Sequence, residues 1–327
     1  MNKVFLVTGA LGCLGAWTMK NLLDANERVV AFDLGTDVYR WKLVMSDDEI
    51  ARIQLIHGDI SDYATVERVL RENEITHVIH LAALQVPFCK ANPVLGAQVN
   101  VVGTVNVFEA ATKLRAQVQR VVYASSAAAY GPANLYPPGA VTEALPLAPT
   151  TLYGAYKQAN EATARVYFQD NGVESVGIRP YVIYGLGRDR GITSSPTKAM
   201  LAAALGRDYQ ITYGGRANFQ WGQDAAQTFI ECATYEFHGA GIFNLGGSVA
   251  AVREIVETIN TVVPDSRGKI TFMETPLAFP EELDASKLRA TFGAVPETPL
   301  LDGVRATVEQ FRELVAQNRI DIVNALA

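Results

Sequence analysis

Four apolar residues, Val4-Phe5-Leu6-Val7, run without a spacer into Thr8-Gly9-Ala10-Leu11-Gly12-Cys13-Leu14-Gly15. β-Branched and aromatic residues favour a strand, and glycines at this spacing let that strand turn straight into a helix. Gly9 can take the tight turn, Gly12 lets backbone approach a pyrophosphate, and Gly15 lets the helix lie close to the sheet. The first helical N–H groups then face the phosphates. The pattern is that of a dinucleotide site, bordered by the whole turn, Leu11, Cys13 and Leu14 included, although Leu11 and Leu14 also read as ordinary turn packing. A second apolar run, Val29-Val30-Ala31-Phe32, ends in Asp33, about 20 residues beyond the glycines. A carboxylate there can accept hydrogen bonds from the adenosine ribose hydroxyls and disfavours a 2′-phosphate, which points to NAD over NADP. The alternative is that Asp33 only caps a loop.

Short β-rich runs alternate with longer amphipathic stretches through the first half, as in a parallel sheet covered by helices. Strands are expected over 3–8, 28–33, 53–57, 76–82, 118–125 and 173–180. Helices are expected over 13–25, 62–73, 94–114 and 151–171, with 37–49 a less regular excursion. The proline-bearing segment 134–151 reads as a folded loop near the substrate. After Pro180, Gly- and aromatic-rich segments alternate with shorter helices over 196–205, 222–235, 250–260 and 300–316. The expected fold is α/β, a Rossmann-like doubly wound parallel sheet with a smaller C-terminal α/β substrate lobe. Residues 1–180 would form the NAD-binding domain and 181–327 mainly the lobe, with some segments returning to the first domain.

A chain of 327 residues buries a substantial core without disulfides. Cys13, Cys89 and Cys232 are far apart and lack metal-ligand spacing, so reduced thiols and a cytoplasmic setting are expected. The chain passes from Met1 almost directly into its first strand, and no later apolar run reads as long and uninterrupted enough to span a bilayer. Lys and Arg total 28 against 34 Asp and Glu, a formal charge of −6 with no basic tract. Nucleic acid and membrane are therefore not expected partners. His57, His77, His80 and His238 do not cluster, and no metal is assigned.

Tyr153-Gly154-Ala155-Tyr156-Lys157 sets a phenol and an amine four residues apart, on one helix face. Removing a proton from an alcohol while its carbon loses hydride requires a base, and a nearby ammonium stabilises a phenolate. Tyr153 suits that role, with Lys157 its partner and a contact to the nicotinamide ribose. Ser126, just past the apolar run Val121-Val122-Tyr123-Ala124 and Ser125, can hold the substrate oxygen.

These motifs resemble the extended short-chain dehydrogenase/reductase family, in particular its NAD-dependent sugar epimerase/dehydratase branch. The resemblance rests on the glycine turn, Ser125-Ser126-Ala127-Ala128-Ala129-Tyr130-Gly131, Tyr153-Gly154-Ala155-Tyr156-Lys157 and Arg179-Pro180-Tyr181-Val182-Ile183-Tyr184-Gly185, and it covers almost the whole chain. It implies that Gly9, Gly12 and Gly15 surround the pyrophosphate, Asp33 holds the ribose and Asp59-Ile60 meet the adenine. It further implies that Leu81-Ala82-Ala83 run beneath the cofactor, that Asn100 supports this region, and that Pro180 with Tyr181 or Val182 borders the nicotinamide. Ser126, Tyr153 and Lys157 take the catalytic places. A homodimer built on helices beginning near Val99 and Leu152 is also implied.

Two departures narrow the reaction. The Asp-Glu pair that follows the catalytic hydroxyl in nucleotide-sugar dehydratases is replaced by Ala127 and Ala128, which disfavours dehydration. The arginine that grips a substrate diphosphate in many nucleotide-sugar epimerases is missing from the corresponding stretch, Pro276 to Asp284. A smaller polyhydroxylated or carboxylated substrate, a sugar, sugar acid or polyol, is expected. Arg188 and Arg190 could bind a carboxylate or phosphate, Thr193 and Ser194 hydroxyls, and Arg216 the substrate; a solvated loop with a helix cap is the alternative for this segment. The expected function is an NAD-dependent dehydrogenase, with a nucleotide-sugar 4-epimerase holding its NAD tightly, or a noncatalytic NAD sensor, as alternatives.

Overall fold

The computed structural model describes residues 3–326. Its strands are β1 (Val4–Thr8), β2 (Arg28–Asp33), β3 (Gln54–His57), β4 (His77–His80), β5 (Arg120–Ala124), β6 (Ser175–Arg179), β7 (Val182–Tyr184), β8 (Tyr209–Ile211), β9 (Arg216–Trp221), β10 (Ala240–Asn244), β11 (Ser248–Ala251) and β12 (Ile270–Phe272). Side chains alternate along β1, and that alternation sets the layers. Phe5 and Val7 join one apolar cluster with Ile79, Val122, Val176 and Phe229, whereas Val4 and Leu6 join another with Val78, Val121, Phe108 and Leu70. Both faces of the strand are thus buried, which is why it reads as an unbroken apolar run.

Seven strands pair in parallel in the order β10-β6-β5-β4-β1-β2-β3. The sheet is Rossmann-like, with helices on both faces. Helix Cys13–Asp24 packs on one face against helix Gly222–Thr234, and helices Tyr63–Glu72 and Gly103–Lys113 pack together on the other. Strand β10 and helix Gly222–Thr234, both from the C-terminal half, therefore belong to this layer. The lobe holds a three-stranded sheet, β11-β9-β7, a two-stranded pair, β12-β8, and helices Ser195–Ala204, Val252–Val262 and Leu300–Ala316 around Met200, Phe219, Ile255 and Phe311.

Several boundaries differ from the sequence reading. The excursion over 37–49 contains two short helices, Tyr39–Val44 and Asp47–Ala51, the second opened by a Ser46–Glu49 capping box. The helix expected from 250 starts at Val252, because Ser248–Ala251 pairs with β9. The helical rod Pro93–Lys113 contains a π-turn over Gln98–Val102. By length and composition this rod is also apolar enough to cross a membrane, contrary to the expectation that no run would be. Half of its most apolar stretch is buried inside the protein, where it covers the sheet and packs on helix Leu152–Asn171, and this burial accounts for its composition.

Two indoles fasten the turn after β1. The Trp41 Nε1–H donates to the Ala10 carbonyl at 2.7 Å, and the Trp17 Nε1–H donates to the Leu186 carbonyl at 3.0 Å, tying the turn's helix to the loop after β7. Trp41→Phe leaves the Ala10 carbonyl buried without that donor. It is expected to lower unfolding stability by about 1–3 kcal/mol, read as a lower urea midpoint at unchanged m-value; an unchanged midpoint would show that the bond does not hold the turn.

Candidate active site

Gly9 has φ of +67° and accepts no side chain: a Cβ there would lie 2.7 Å from the Ala82 nitrogen. At Gly15 a Cβ would lie 2.3 Å from the Gly9 carbonyl oxygen. The backbone turn is thus pressed between its own helix and the Leu81–Ala83 segment. The Asp33 carboxylate accepts the Leu11 N–H and the Gly35 N–H, each at 3.0 Å, so it caps its loop and borders the groove at once. The resulting groove, about 1090 Å³, is lined by Gly9, Leu11, Gly12, Asp33, Asp59, Ile60 and Leu81 to Ala83. Asn100 does not reach it. Buried in the π-turn, Asn100 instead accepts the Leu84 N–H at 2.7 Å and donates to the Leu84 carbonyl at 2.9 Å, fixing the segment that leaves β4.

A smaller chamber of about 240 Å³ continues from Gly12, Cys13, Leu14 and Gly15 to Ser126, Tyr153, Lys157 and Pro180. Thr151 caps the helix that carries Tyr153 and Lys157, its hydroxyl accepting the Gly154 N–H at 3.0 Å. Gly154 sits where a Cβ would be 2.0 Å from the Ala128 carbonyl oxygen, and this close approach brings Tyr153 to Ser126. The Ser126 hydroxyl accepts the Ala128 N–H at 3.1 Å, so its own proton stays free to donate. Lys157 is buried, donates to the Ala124 carbonyl at 2.6 Å and lies 5.5 Å from the Tyr153 ring centroid.

Burial dominates the electrostatics. It pushes the Lys157 ammonium down to about 8. It also raises the Tyr153 phenol, with the Ser126 hydroxyl and the Arg188 charge pulling the other way. His80, between Thr8 at 2.7 Å and Thr104 at 3.1 Å, is pushed down to about 3 by burial and by the Lys157 charge, and it is a neutral structural residue.

The polar residues after β7 divide between the two spaces. Arg188 and Thr193 line the smaller chamber, with Arg188 Nη2 donating to the Thr193 hydroxyl at 2.8 Å. Arg190 and Ser194 instead border the cofactor groove, and the Ser194 hydroxyl donates to the Gly191 carbonyl at 2.9 Å. Gly187 and Gly191, at φ of +81° and +94°, turn the loop between them. Two expected contacts are corrected. Arg216 lies outside both spaces, half-exposed and 3.8 Å from Glu254, because β9 begins there in antiparallel register with Ala251. Val182 is fully buried in the lobe core, and by alternation along β7 its neighbour Ile183 lines the chamber with Pro180 and Tyr181. Sequence reasoning also missed Arg40, whose guanidinium joins the Leu11 carbonyl at 3.1 Å to Asp189 at 2.7 Å across the groove. It missed Phe279 too, which walls the chamber edge-on to Tyr181 at 6.1 Å.

The model of the NAD dependent epimerase/dehydratase family matches residues 5–246, and the chain belongs to that family. The UDP-glucose 4-epimerase of Mycolicibacterium smegmatis is 29% identical over 324 residues, covering 94% of this chain and 98% of that protein. The solved UDP-glucose 4-epimerase of Thermus thermophilus, in complex with NAD, superposes with a TM-score of 0.77 at 25% identity over 94% of this chain and 99% of that one. An L-threonine dehydrogenase of Clostridium difficile shares the fold, with a TM-score of 0.84 at 20% identity over 96% and 98% of the two chains. NAD is the cofactor of the family, and the glycine turn, the Asp33 carboxylate and the buried Lys157 fit it.

NAD at 100 times its Kd is expected to stabilise the protein by about 2.7 kcal/mol. Gly15→Ala should abolish that gain in a thermal-shift assay, since its Cβ meets backbone. Gly172→Ala, at φ of +68° with open space around it, should cost about 1–2 kcal/mol yet leave the gain intact. An intact gain in Gly15→Ala would remove the turn from the NAD site.

Proposed function

We propose that the protein oxidises the secondary alcohol of a small carboxylate-bearing substrate and releases the ketone. Bound NAD supplies the ring that accepts the hydride. Tyr153 removes the hydroxyl proton, Ser126 donates a hydrogen bond to the same oxygen, and Lys157 keeps a positive charge beside the phenol. Arg188, braced by Thr193, receives the carboxylate.

The observation that carries this reading is the polarity of the chamber. Besides Lys157, Arg188 is the cation that lines it, and Phe279 stands on the wall contributed by the segment that lacks a diphosphate-binding arginine. A second reading, UDP-sugar 4-epimerase, draws on the full-length similarity to the Mycolicibacterium smegmatis enzyme.

The test is turnover of NAD⁺ with a panel of hydroxy acids, sugar acids, polyols and UDP-sugars. L-Threonine belongs in it as the substrate named for the Clostridium difficile protein of the same fold. Substrate-dependent NADH from a hydroxy acid or sugar acid is expected; inversion of a UDP-sugar without net NADH would establish the epimerase instead. Tyr153→Phe should lower kcat by about 10²–10⁴-fold with NAD binding retained, and unchanged turnover would point to a noncatalytic protein or another base. Arg188→Met should raise KM for the carboxylate substrate by about 10- to 100-fold, the loss of a charge-assisted bond.

We further propose that two copies associate through neighbouring helices that expose Val94, Leu95, Val102, Leu152 and Val166. Sedimentation equilibrium should return a dimer mass, and a monomer at micromolar concentration would refute it.

A further inference from the structure

The proton transfer described above makes no use of Glu161, although its carboxylate is buried directly behind the site. Helix Leu152–Asn171 presents Tyr153, Lys157 and Glu161 on successive turns of one face. The Glu161 carboxylate accepts the Ser125 hydroxyl at 2.5 Å and a two-point contact from Arg179, Nε at 2.8 Å and Nη2 at 2.7 Å. Ser125 ends the stretch leading out of β5 to Ser126, and Arg179 ends β6 just before Pro180. One carboxylate therefore joins the helix of Tyr153 and Lys157 to both strand ends that form the opposite side of the chamber.

The connection extends further. Arg179 Nη1 donates to the Tyr130 hydroxyl at 2.5 Å and its guanidinium lies over the Tyr130 ring at 4.6 Å. The Tyr130 hydroxyl donates to Asn244 Oδ1 at 3.0 Å, and Asn244 Nδ2 donates to the carbonyls of Val141 and Asp284. Ser125, Tyr130, Glu161, Arg179 and Asn244 are all buried. Val141 and Leu283, which pair as an isolated bridge, belong to the apolar core of the lobe.

We infer that Glu161 is a positioning residue of the hydride-transfer site. It holds Ser126 and the Pro180 bend in register with Tyr153 and keeps a negative charge facing the Lys157 ammonium. The kinetic part of this inference rests on the proposed oxidation of an alcohol; the charge part does not.

The groups that face Lys157 can be named element by element. Its own helix contributes Tyr153 and Glu161, helix Val86–Ala91 contributes Cys89, β4 contributes His80 and β5 contributes the Ala124 carbonyl. His80 is neutral, and burial pushes the Cys89 thiol up, so it too is uncharged where Lys157 titrates. Among the cations around the chamber, Arg188 lines it from the loop after β7, and Arg179, at the end of β6, is paired to Glu161. Glu161 is thus the acting counter-charge against burial. Its removal leaves both the desolvation of Lys157 and an unpaired Arg179 guanidinium, and both disfavour the ammonium.

The experiment compares wild type, Glu161→Gln and the double variant Glu161→Gln/Arg179→Met, measuring NADH affinity by fluorescence and kcat on the best substrate, each across pH. In wild type both profiles should break near the Lys157 value. In both variants the break should move to lower pH by about one unit or more, with kcat at neutral pH reduced and KM for substrate little changed. The double variant leaves no unpaired Arg179 guanidinium, so it reports even where the single variant fails to fold. A wild-type break in the NADH profile of either folded variant would overturn the assignment. Because that profile needs no substrate, failure of every substrate to turn over would count against the proposed reaction and leave Glu161 to be judged on binding alone.

Discussion

Backbone contact at Gly9 and Gly15 is the constraint on which the rest of the structure depends. With no Cβ at either place, the helix starting at Cys13 closes onto the carbonyl of Gly9, and Gly9 closes onto Ala82 across the neighbouring strand. The turn then has polar groups that no regular element satisfies. Leu11 N–H goes to Asp33, the Leu11 carbonyl to Arg40 and the Ala10 carbonyl to Trp41. Each partner comes from the end of β2 or the segment after it, so the tight turn and the acid that closes β2 are parts of one construction. The groove is what remains between them.

Burial sets the electrostatics of the chamber that holds Tyr153 and Lys157. It weakens the hold of Lys157 on its proton and strengthens that of Tyr153, so neither group has the value it would show in water. A phenol held high is a poor base until positive charge and a hydrogen-bond donor offset the cost of ionising it. Ser126 and Arg188 already act in that direction. Arg188 would then serve twice, as an anchor for a carboxylate and as part of the field around Tyr153.

Much of this was legible in the chain because it is written in local spacing. The glycine turn, Asp33 and the Tyr153–Lys157 pair each lie within one element or one connection, where periodicity fixes geometry. What could not be read depends on direction across the fold. Val182 and Ile183 are adjacent apolar residues of a three-residue strand, and only its pairing with β9 decides which one faces the chamber. Arg188 and Arg190 looked equivalent until the positive-φ glycines Gly187 and Gly191 sent them to different spaces. Arg216 carried the right charge on a strand end that points away. Glu161 was given no role from the sequence, although it stands one turn after Lys157, because its meaning lies in Ser125 and Arg179, which reach it from the ends of two strands. Strand β10 was hidden for the same reason, being added to the sheet after the chain had already built most of the lobe sheet.

A deuterium label on the secondary carbinol of the best carboxylate substrate follows the hydride itself. Mixed with the purified protein and exchangeable NAD⁺, the labelled substrate should yield free NADH carrying the deuterium, together with unlabelled ketone in solution. Deuterium returned to an inverted carbinol, with the nucleotide never leaving the protein, would contradict the release of product and make this chain an epimerase.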